Sequence, residues 1–84
     1  MSNVTFVNNA WDHISVKGVR GNKLSCSENG DPFSFNLNKG DTKSISFDGF
    51  QTLCYQRDND PDNPNGTFNG YTQLDDFGDQ TVDL

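Results

Sequence analysis

The chain has 84 residues, of which 31% are hydrophobic, so it can build one thin core within a single domain. Twelve acidic and six basic side chains give a net charge of −6, which argues against direct binding to nucleic acid through its phosphates. No apolar run approaches the roughly 18–20 residues of a membrane-spanning helix, so an integral membrane protein is not expected.

Composition and spacing together predict an all-β chain with almost no helix. Eleven Asn, eleven Asp and eight Gly disfavour helices, and only one Ala is present. Short runs alternate apolar and polar residues with a period of two. Six to eight such strands are typical of a small antiparallel β-sandwich or a partly open barrel. In chain order, the predicted strands are 3–8, 13–18, 22–27, 33–37, 42–47 and 50–56, with further candidates at 67–73 and 80–84.

Turn residues separate the predicted strands. The segment 18–22 contains two glycines, and the segment 29–32 combines Asn, Gly, Asp and Pro, so both are expected to break a strand. The segment 38–41 suits a hairpin in which Gly40 adopts a positive φ, and Asp48-Gly49 is a two-residue hairpin signal.

The negative charge is confined to the last third of the chain. Residues 1–57 hold six bases against five acids, a net of +1, whereas residues 58–84 hold seven acids and no base, a net of −7. We therefore describe residues 1–84 as one β domain whose segment 58–84 is acidic and rich in turns. Such a segment is either a solvated surface or a surface for a cation or a basic partner.

The two cysteines, Cys26 and Cys54, fall in separate predicted strands, which is the arrangement that a cross-linking disulfide needs. A bond of this span would stabilise the fold by about 3–4 kcal/mol in the chain-entropy model. Two buried thiols are the alternative. A disulfide favours a secreted or periplasmic protein whose signal peptide has been removed. A cytoplasmic location is the alternative, because the chain starts at Met1 without a basic and apolar leader.

Three alternate carboxylates, Asp58, Asp60 and Asp62, are predicted as ligands of Ca²⁺, which prefers oxygen donors on flexible loops. Their spacing resembles the opening of EF-hand and related calcium loops. The segment departs from that pattern at its sixth position, Asn63 in place of Gly, and at its twelfth, Asn69 in place of Glu. A rigid, solvated Asp/Asn/Pro turn is the alternative, and no other cofactor is expected.

Most of the seven phenylalanines occupy alternating strand positions and are predicted to form the core. The remaining aromatic residues lie beside loops or the acidic segment, where amphipathic rings can stack on a sugar or a protein, although core packing is the alternative. The residues predicted to contact a partner are three aromatic and three acidic side chains: Trp11, Tyr55, Tyr71, Asp75, Asp76 and Asp79.

Catalysis is not expected. The only histidine, His13, lies near Ser15 in sequence, but nothing in the sequence places a nucleophile, a base and an orienting group together. Asp75 and Asp76 are adjacent, so on a strand their carboxylates point to opposite faces and cannot flank one bond. The chain is therefore predicted not to be an enzyme.

Two functions remain. The first is a small non-enzymatic binding module that recognises a protein or a carbohydrate through its loops, with Ca²⁺ ordering the acidic loop. The second is a cytosolic acidic inhibitor from a phage or a bacterium, whose carboxylate-rich face mimics nucleic acid and occupies a basic groove on its target.

Overall fold

The computed structural model describes residues 3–21, 26, 30–46, 49–58, 67–75 and 78–84. Over these residues the protein is all-β, as predicted, and no helix is present that could cross a membrane. The seven strands are β1 (Asn3–Val7), β2 (His13–Gly21), β3 (Asp31–Asn38), β4 (Thr42–Ser46), β5 (Thr52–Arg57), β6 (Thr72–Asp75) and β7 (Gln80–Asp83).

The strands form two sheets that are not closed into a barrel. One sheet has three strands in the order β4-β1-β7, and the other has four strands in the order β3-β2-β5-β6. All neighbours run antiparallel except β1 and β7, which run parallel. A parallel pair needs a long crossover, and almost the whole chain lies between the first and last strands.

The two predicted hairpins are wrong in their connectivity, although the positive φ predicted for Gly40 is confirmed; Asp48 lies outside the described residues. Gly40 has a φ of 89° and Gly49 a φ of 81°, a conformation that glycine adopts without steric strain. However, the 38–41 turn joins β3 to β4 and the segment around Gly49 joins β4 to β5, so both connect one sheet to the other. The turn residues predict where the chain reverses its direction, but they do not predict which sheet the next strand joins.

The turn predicted at 18–22 is also wrong over Gly18 to Gly21, because β2 continues through both glycines. A Cβ atom on Gly18 would overlap the carbonyl oxygen of Cys54 and lie 2.7 Å from Cζ of Phe33. This glycine therefore marks a close approach between strands rather than a turn. Of the strand predicted at 22–27, only Cys26 has a described position after Gly21, and it lies outside the strands.

Other boundaries differ by a few residues. Strand β3 begins at Asp31, inside the predicted break at 29–32, and β6 covers Thr72–Asp75 instead of 67–73. Within 67–73, Phe68 forms an isolated bridge with Asp58.

The core lies between the two sheets. The Phe6 ring of β1 has its centroid 5.4 Å from that of Phe35, 6.4 Å from that of Phe33 and 5.2 Å from that of Tyr55, so one side chain joins both sheets. Burial of this cluster provides the main stabilisation of so small a domain. The buried apolar core residues are Val4, Phe6, Ile14, Val16, Leu37, Leu53 and Leu84.

Two arginines lie at opposite ends of the inner face of the four-stranded sheet. The guanidinium of Arg20 lies 4.7 Å from the centre of the Phe50 ring and also pairs with Asp31. The guanidinium of Arg57 lies 5.7 Å from the centre of the Trp11 ring. Each guanidinium faces an aromatic ring, and such a cation is attracted by the negative face of the ring.

Asn8, directly after β1, is a buried polar residue with 0% exposure. Its Nδ2 donates to the carbonyls of Trp11, at 2.8 Å, and Leu37, at 3.2 Å, while its Oδ1 accepts the Trp11 N–H at 3.1 Å. Its own N–H donates to the carbonyl of Asp41, and its carbonyl accepts the N–H of Gly40. The side chain and the backbone groups of this one residue therefore join β1, the following loop and the turn between the sheets.

Candidate ligand groove

An open groove of about 500 Å³ lies on the outer face of the four-stranded sheet, the face turned away from the core. Residues from β2, residues from β3 and one aromatic residue just before β6 form its walls and floor. The lining residues are Lys17, Gly18, Val19, Pro32, Phe33, Ser34 and Tyr71.

Strand alternation places four of these side chains on the outer face. Lys17 is the cross-strand partner of Ser34, and Val19 is the partner of Pro32. Neighbouring residues along a strand point to opposite faces, and Gly18 between the two pairs occupies an inner-face position. The floor of the groove is therefore main chain, and its sides are the side chains of two adjacent cross-strand pairs.

Aromatic rings border the groove on the side of β6. Tyr71 is 45% exposed, the only large hydrophobic side chain so exposed among the residues that the structure describes. The ammonium nitrogen of Lys17 lies 4.5 Å from the centre of the neighbouring Phe68 ring. This contact holds the ammonium group on the same side of the groove as the exposed ring.

The segment that carries these rings is attached to β5 by backbone contacts. The Asn69 N–H donates to the carbonyl of Arg57 at 3.0 Å, and Nε2 of Gln56 donates to the carbonyl of Asn69 at 2.8 Å. Asp58 and Phe68 form the bridge that continues this pairing. The rings are therefore presented from a hydrogen-bonded segment.

The described lining of the groove carries a positive charge on a negatively charged protein. Among the residues that the structure describes, Lys17 is the only charged one that lines the groove, and the chain as a whole carries a net charge of −6. Arg20, also on β2, pairs instead with Asp31 and donates from Nη1 to the carbonyl of Ser46 at 2.9 Å. A ligand in the groove would meet one ammonium group, the Ser34 hydroxyl and an exposed aromatic ring.

The predicted cysteine pairing is confirmed. Cys26 and Cys54 are bonded, with their Cα atoms 5.7 Å apart. Cys54 is 2% exposed and is the cross-strand partner of the groove residue Val19, so it occupies an outer-face position on β5. The bond therefore fixes Cys26 over the outer face, beside the groove.

The predicted metal ligands are described only in part. Asp58 is 7% exposed, and its backbone N–H donates to the carbonyl of Ser15 at 2.9 Å. Asp60 and Asp62 lie outside the described residues. Among the residues that the structure does describe, no three metal-ligating side chains form a group, and the calcium site stays a prediction.

The three aromatic residues predicted to contact a partner occupy different places. Trp11 and Tyr55 pack against the core, the placement that the sequence left as the alternative. Tyr71 lines the groove and is exposed. The structure thus leaves one of these three rings available for stacking with a ligand.

The three acidic residues predicted to contact a partner are not equivalent either. The carboxylate of Asp79 accepts the backbone N–H of Asn3 at 2.9 Å, which links the β6–β7 connection to β1. Asp75 accepts from Nε2 of Gln73 at 3.3 Å, and Asp76 lies outside the described residues. The Asp79 carboxylate therefore makes a structural contact between two parts of the fold.

Sequence reasoning did not identify Lys17, Val19, Pro32 and Ser34 as site residues. Alternation within β2 places Lys17 and Val19 on one face, but the turn predicted at 18–22 ended the strand before Val19. The break predicted at 29–32 likewise removed Pro32 from β3. The register between the two strands, which brings the four side chains together, was therefore not available from the sequence.

No known protein-family model, curated protein or solved structure matches this chain. The function is therefore inferred from the groove and its chemistry.

Proposed function

We propose that this protein is a small non-enzymatic binding module and that its ligand lies in the groove on the outer face of the four-stranded sheet. The observation that supports this proposal is the exposed Tyr71 ring at the side of an open groove. Its volume of about 500 Å³ falls in the range of small-ligand sites, roughly 300–1,000 Å³. A solvated aromatic ring beside such a groove is a characteristic anchor of binding surfaces.

The chemistry of the lining supports binding over catalysis. Within the described part of the chain, the polar side chains that line the groove are those of Lys17, Ser34 and Tyr71, and no histidine, thiol or carboxylate is among them. General acid–base catalysis and nucleophile activation need a base within hydrogen-bond reach of the reacting group. A binding site needs only complementary shape and a few polar contacts, which this groove offers.

The groove is built largely on β2 and β3, which form a ladder over eight cross-strand pairs from His13↔Asn38 to Arg20↔Asp31. A site on paired strands loses little conformational freedom when a ligand binds, so more of the contact energy appears as affinity. The Cys26–Cys54 bond beside it adds to this rigidity. A secreted or periplasmic location belongs to the proposal, because oxidising compartments maintain such bonds.

The acidic segment has a secondary place in this proposal. Asp58 is buried, and the carboxylate of Asp79 accepts a backbone hydrogen bond, so the Asp79 carboxylate already serves the fold. Calcium binding in the 58–62 loop would add stability to the module without contributing to the groove. The cytosolic acidic inhibitor remains the alternative function.

A ligand-observed NMR screen tests the proposal. Pools of soluble oligosaccharides and of short extended peptides are added to the wild-type protein, to Tyr71→Ala and to Tyr71→Phe, which keeps the ring. We expect at least one pool to bind the wild type and Tyr71→Phe, and to lose binding with Tyr71→Ala. No binding by any pool, or equal binding to all three proteins, would overturn the proposed site.

A further inference from the structure

We infer that the ligand of the groove is an acidic saccharide, whose anionic group pairs with the Lys17 ammonium and whose sugar ring stacks on Tyr71. This inference rests on the proposed binding function and names the class of ligand.

Charge complementarity selects an anionic ligand. Lys17 is exposed and is the only charged residue that lines the groove among those with a described position. Its ammonium nitrogen contacts the Phe68 ring, and this contact gives the charge a preferred position before a ligand arrives. Ammonium–carboxylate and ammonium–sulfate hydrogen bonds are charge-assisted and stronger than neutral ones. The net charge of −6 opposes other anions at long range, but this repulsion is screened beyond about 10 Å at 0.1 M salt.

The remaining groups suit a sugar ring. Tyr71 offers an exposed aromatic face on which the C–H face of a pyranose can pack. The Ser34 hydroxyl, the cross-strand neighbour of Lys17, can donate one hydrogen bond and accept others, which matches the hydroxyl groups of a sugar. One cation and one hydroxyl on two adjacent strands, with one ring from the segment before β6, therefore form a small, mixed site.

The size of the groove favours a saccharide of a few residues over a folded protein partner. A stable protein interface buries roughly 800 Å² on each partner and centres on a cluster of apolar anchors. Here the apolar lining side chains on the outer face are those of Val19 and Pro32 beside the Tyr71 ring. An acidic peptide remains the competing ligand that the experiment must separate.

Isothermal titration calorimetry with a matched pair of probes tests the inference. The probes are trigalacturonic acid and its methyl ester, which has the same rings without the charge. We expect the acid to bind the wild type roughly tenfold more tightly than the ester at about 0.1 M salt, where the net charge of the protein is screened. Lys17→Gln should remove this difference, and so should Ser34→Asp, which places a carboxylate opposite Lys17.

Lys39→Gln is the matched control, because it removes the same charge from the exposed turn between β3 and β4, outside the groove. It should keep the preference for the acid. Thermal unfolding of all variants verifies that they fold, which is expected because Lys17, Ser34 and Lys39 are exposed. A sulfated trisaccharide in parallel distinguishes sulfate from carboxylate as the preferred anion.

Each contrary outcome is separable from failure of the proposed function. Equal affinity for acid and ester, or an unchanged preference in Lys17→Gln, would overturn the inference while Tyr71-dependent binding would still support a binding module. Binding of an acidic hexapeptide with no saccharide binding would overturn the ligand class alone. Absence of any ligand, including every pool of the NMR screen, would overturn both.

Discussion

The ammonium group of Lys17 on β2 lies 4.5 Å from the centre of the Phe68 ring, which is carried by the segment before β6. The contact spans the outer face of the four-stranded sheet, because β5 lies between the two elements. A flexible lysine is thereby given a preferred position beside the groove. The positioning of this charge depends on a residue that does not itself line the groove.

Replacing that ring should weaken the binding of acidic saccharides. An exposed cation–π contact contributes roughly 0.5–1 kcal/mol, so Phe68→Leu should lower the affinity for trigalacturonic acid about twofold to fivefold. Phe68→Tyr keeps an aromatic face and should bind as the wild type does. Calorimetric titration of Phe68→Leu and Phe68→Tyr compares their affinities for the acid. Equal affinities would show that the aromatic ring does not position Lys17.

Removing the buried Asn8 side chain should destabilise the fold strongly. Asn8→Ala leaves the Trp11 N–H and the Leu37 carbonyl without that partner, and each buried unpaired group costs about 1–3 kcal/mol. We expect a loss of about 2–4 kcal/mol in urea unfolding. The exposed neighbour Asn9→Ala serves as control and should change the free energy of unfolding by less than about 0.5 kcal/mol. A similar small change in Asn8→Ala would contradict the role assigned to this side chain.

Two glycines give opposite predictions for the same substitution. Gly18→Ala introduces a Cβ that overlaps the Cys54 carbonyl oxygen and crowds the Phe33 ring, so it should cost about 1–3 kcal/mol. Gly70→Ala meets no atom within 4 Å and should be neutral or slightly stabilising, because it restricts the unfolded chain. Urea unfolding of the two variants measures both changes in the free energy of unfolding. An unchanged free energy of unfolding in Gly18→Ala would contradict the close approach of β2 and β5 at this glycine.

The Cys26–Cys54 bond should account for a large part of the stability. Its two cysteines are 28 residues apart in sequence, and a loop of this size predicts a loss of about 3–4 kcal/mol on reduction. Thermal unfolding with and without reductant measures the effect, with Cys26→Ala/Cys54→Ala as the control that reductant should leave unchanged. An unchanged midpoint for the reduced wild type would contradict this contribution. Free thiols in native material would favour the cytosolic inhibitor.

The calcium prediction is tested by thermal unfolding with millimolar Ca²⁺ and with chelator. A ligand that binds only the folded state raises the unfolding midpoint, so a rise that the chelator reverses is expected. Asp60→Asn/Asp62→Asn should abolish that rise, and Mg²⁺ serves as the control for ionic strength and cation size. The same unfolding midpoint with Ca²⁺ and with chelator would contradict the calcium site and favour the alternative, a solvated turn.

Much of the fold could be predicted from local pattern. Apolar and polar residues alternate over 33–37 and in the first residues of β1 and β2. This alternation predicts strands, because a strand with one buried face has a period of two. Gly40 was likewise recognisable as a residue at positive φ. These features depend on neighbours in sequence, and a single sequence contains that information.

The groove could not be predicted in the same way, because it depends on contacts between distant residues. Gly18 has the sequence signature of a turn, yet it is required where β2 approaches Cys54 and Phe33. Lys17 contacts Phe68, which is distant in sequence, and the buried Asn8 donates to the Leu37 carbonyl on another strand. Polar and glycine residues of this kind look like loop residues until the strand register is known.

Chemical-shift mapping of the ¹⁵N-labelled protein tests most directly whether the groove is the ligand site. Trigalacturonic acid is titrated into the wild type and into Tyr71→Ala, and the backbone amides that move are assigned. We predict shifts concentrated at residues 17–19, at 33–34 and at Tyr71, with little change in β1, β4 and β7, and their loss in Tyr71→Ala. Shifts centred on Asp75 and Asp79, or on the three-stranded sheet, would contradict the assignment of the groove as the binding site.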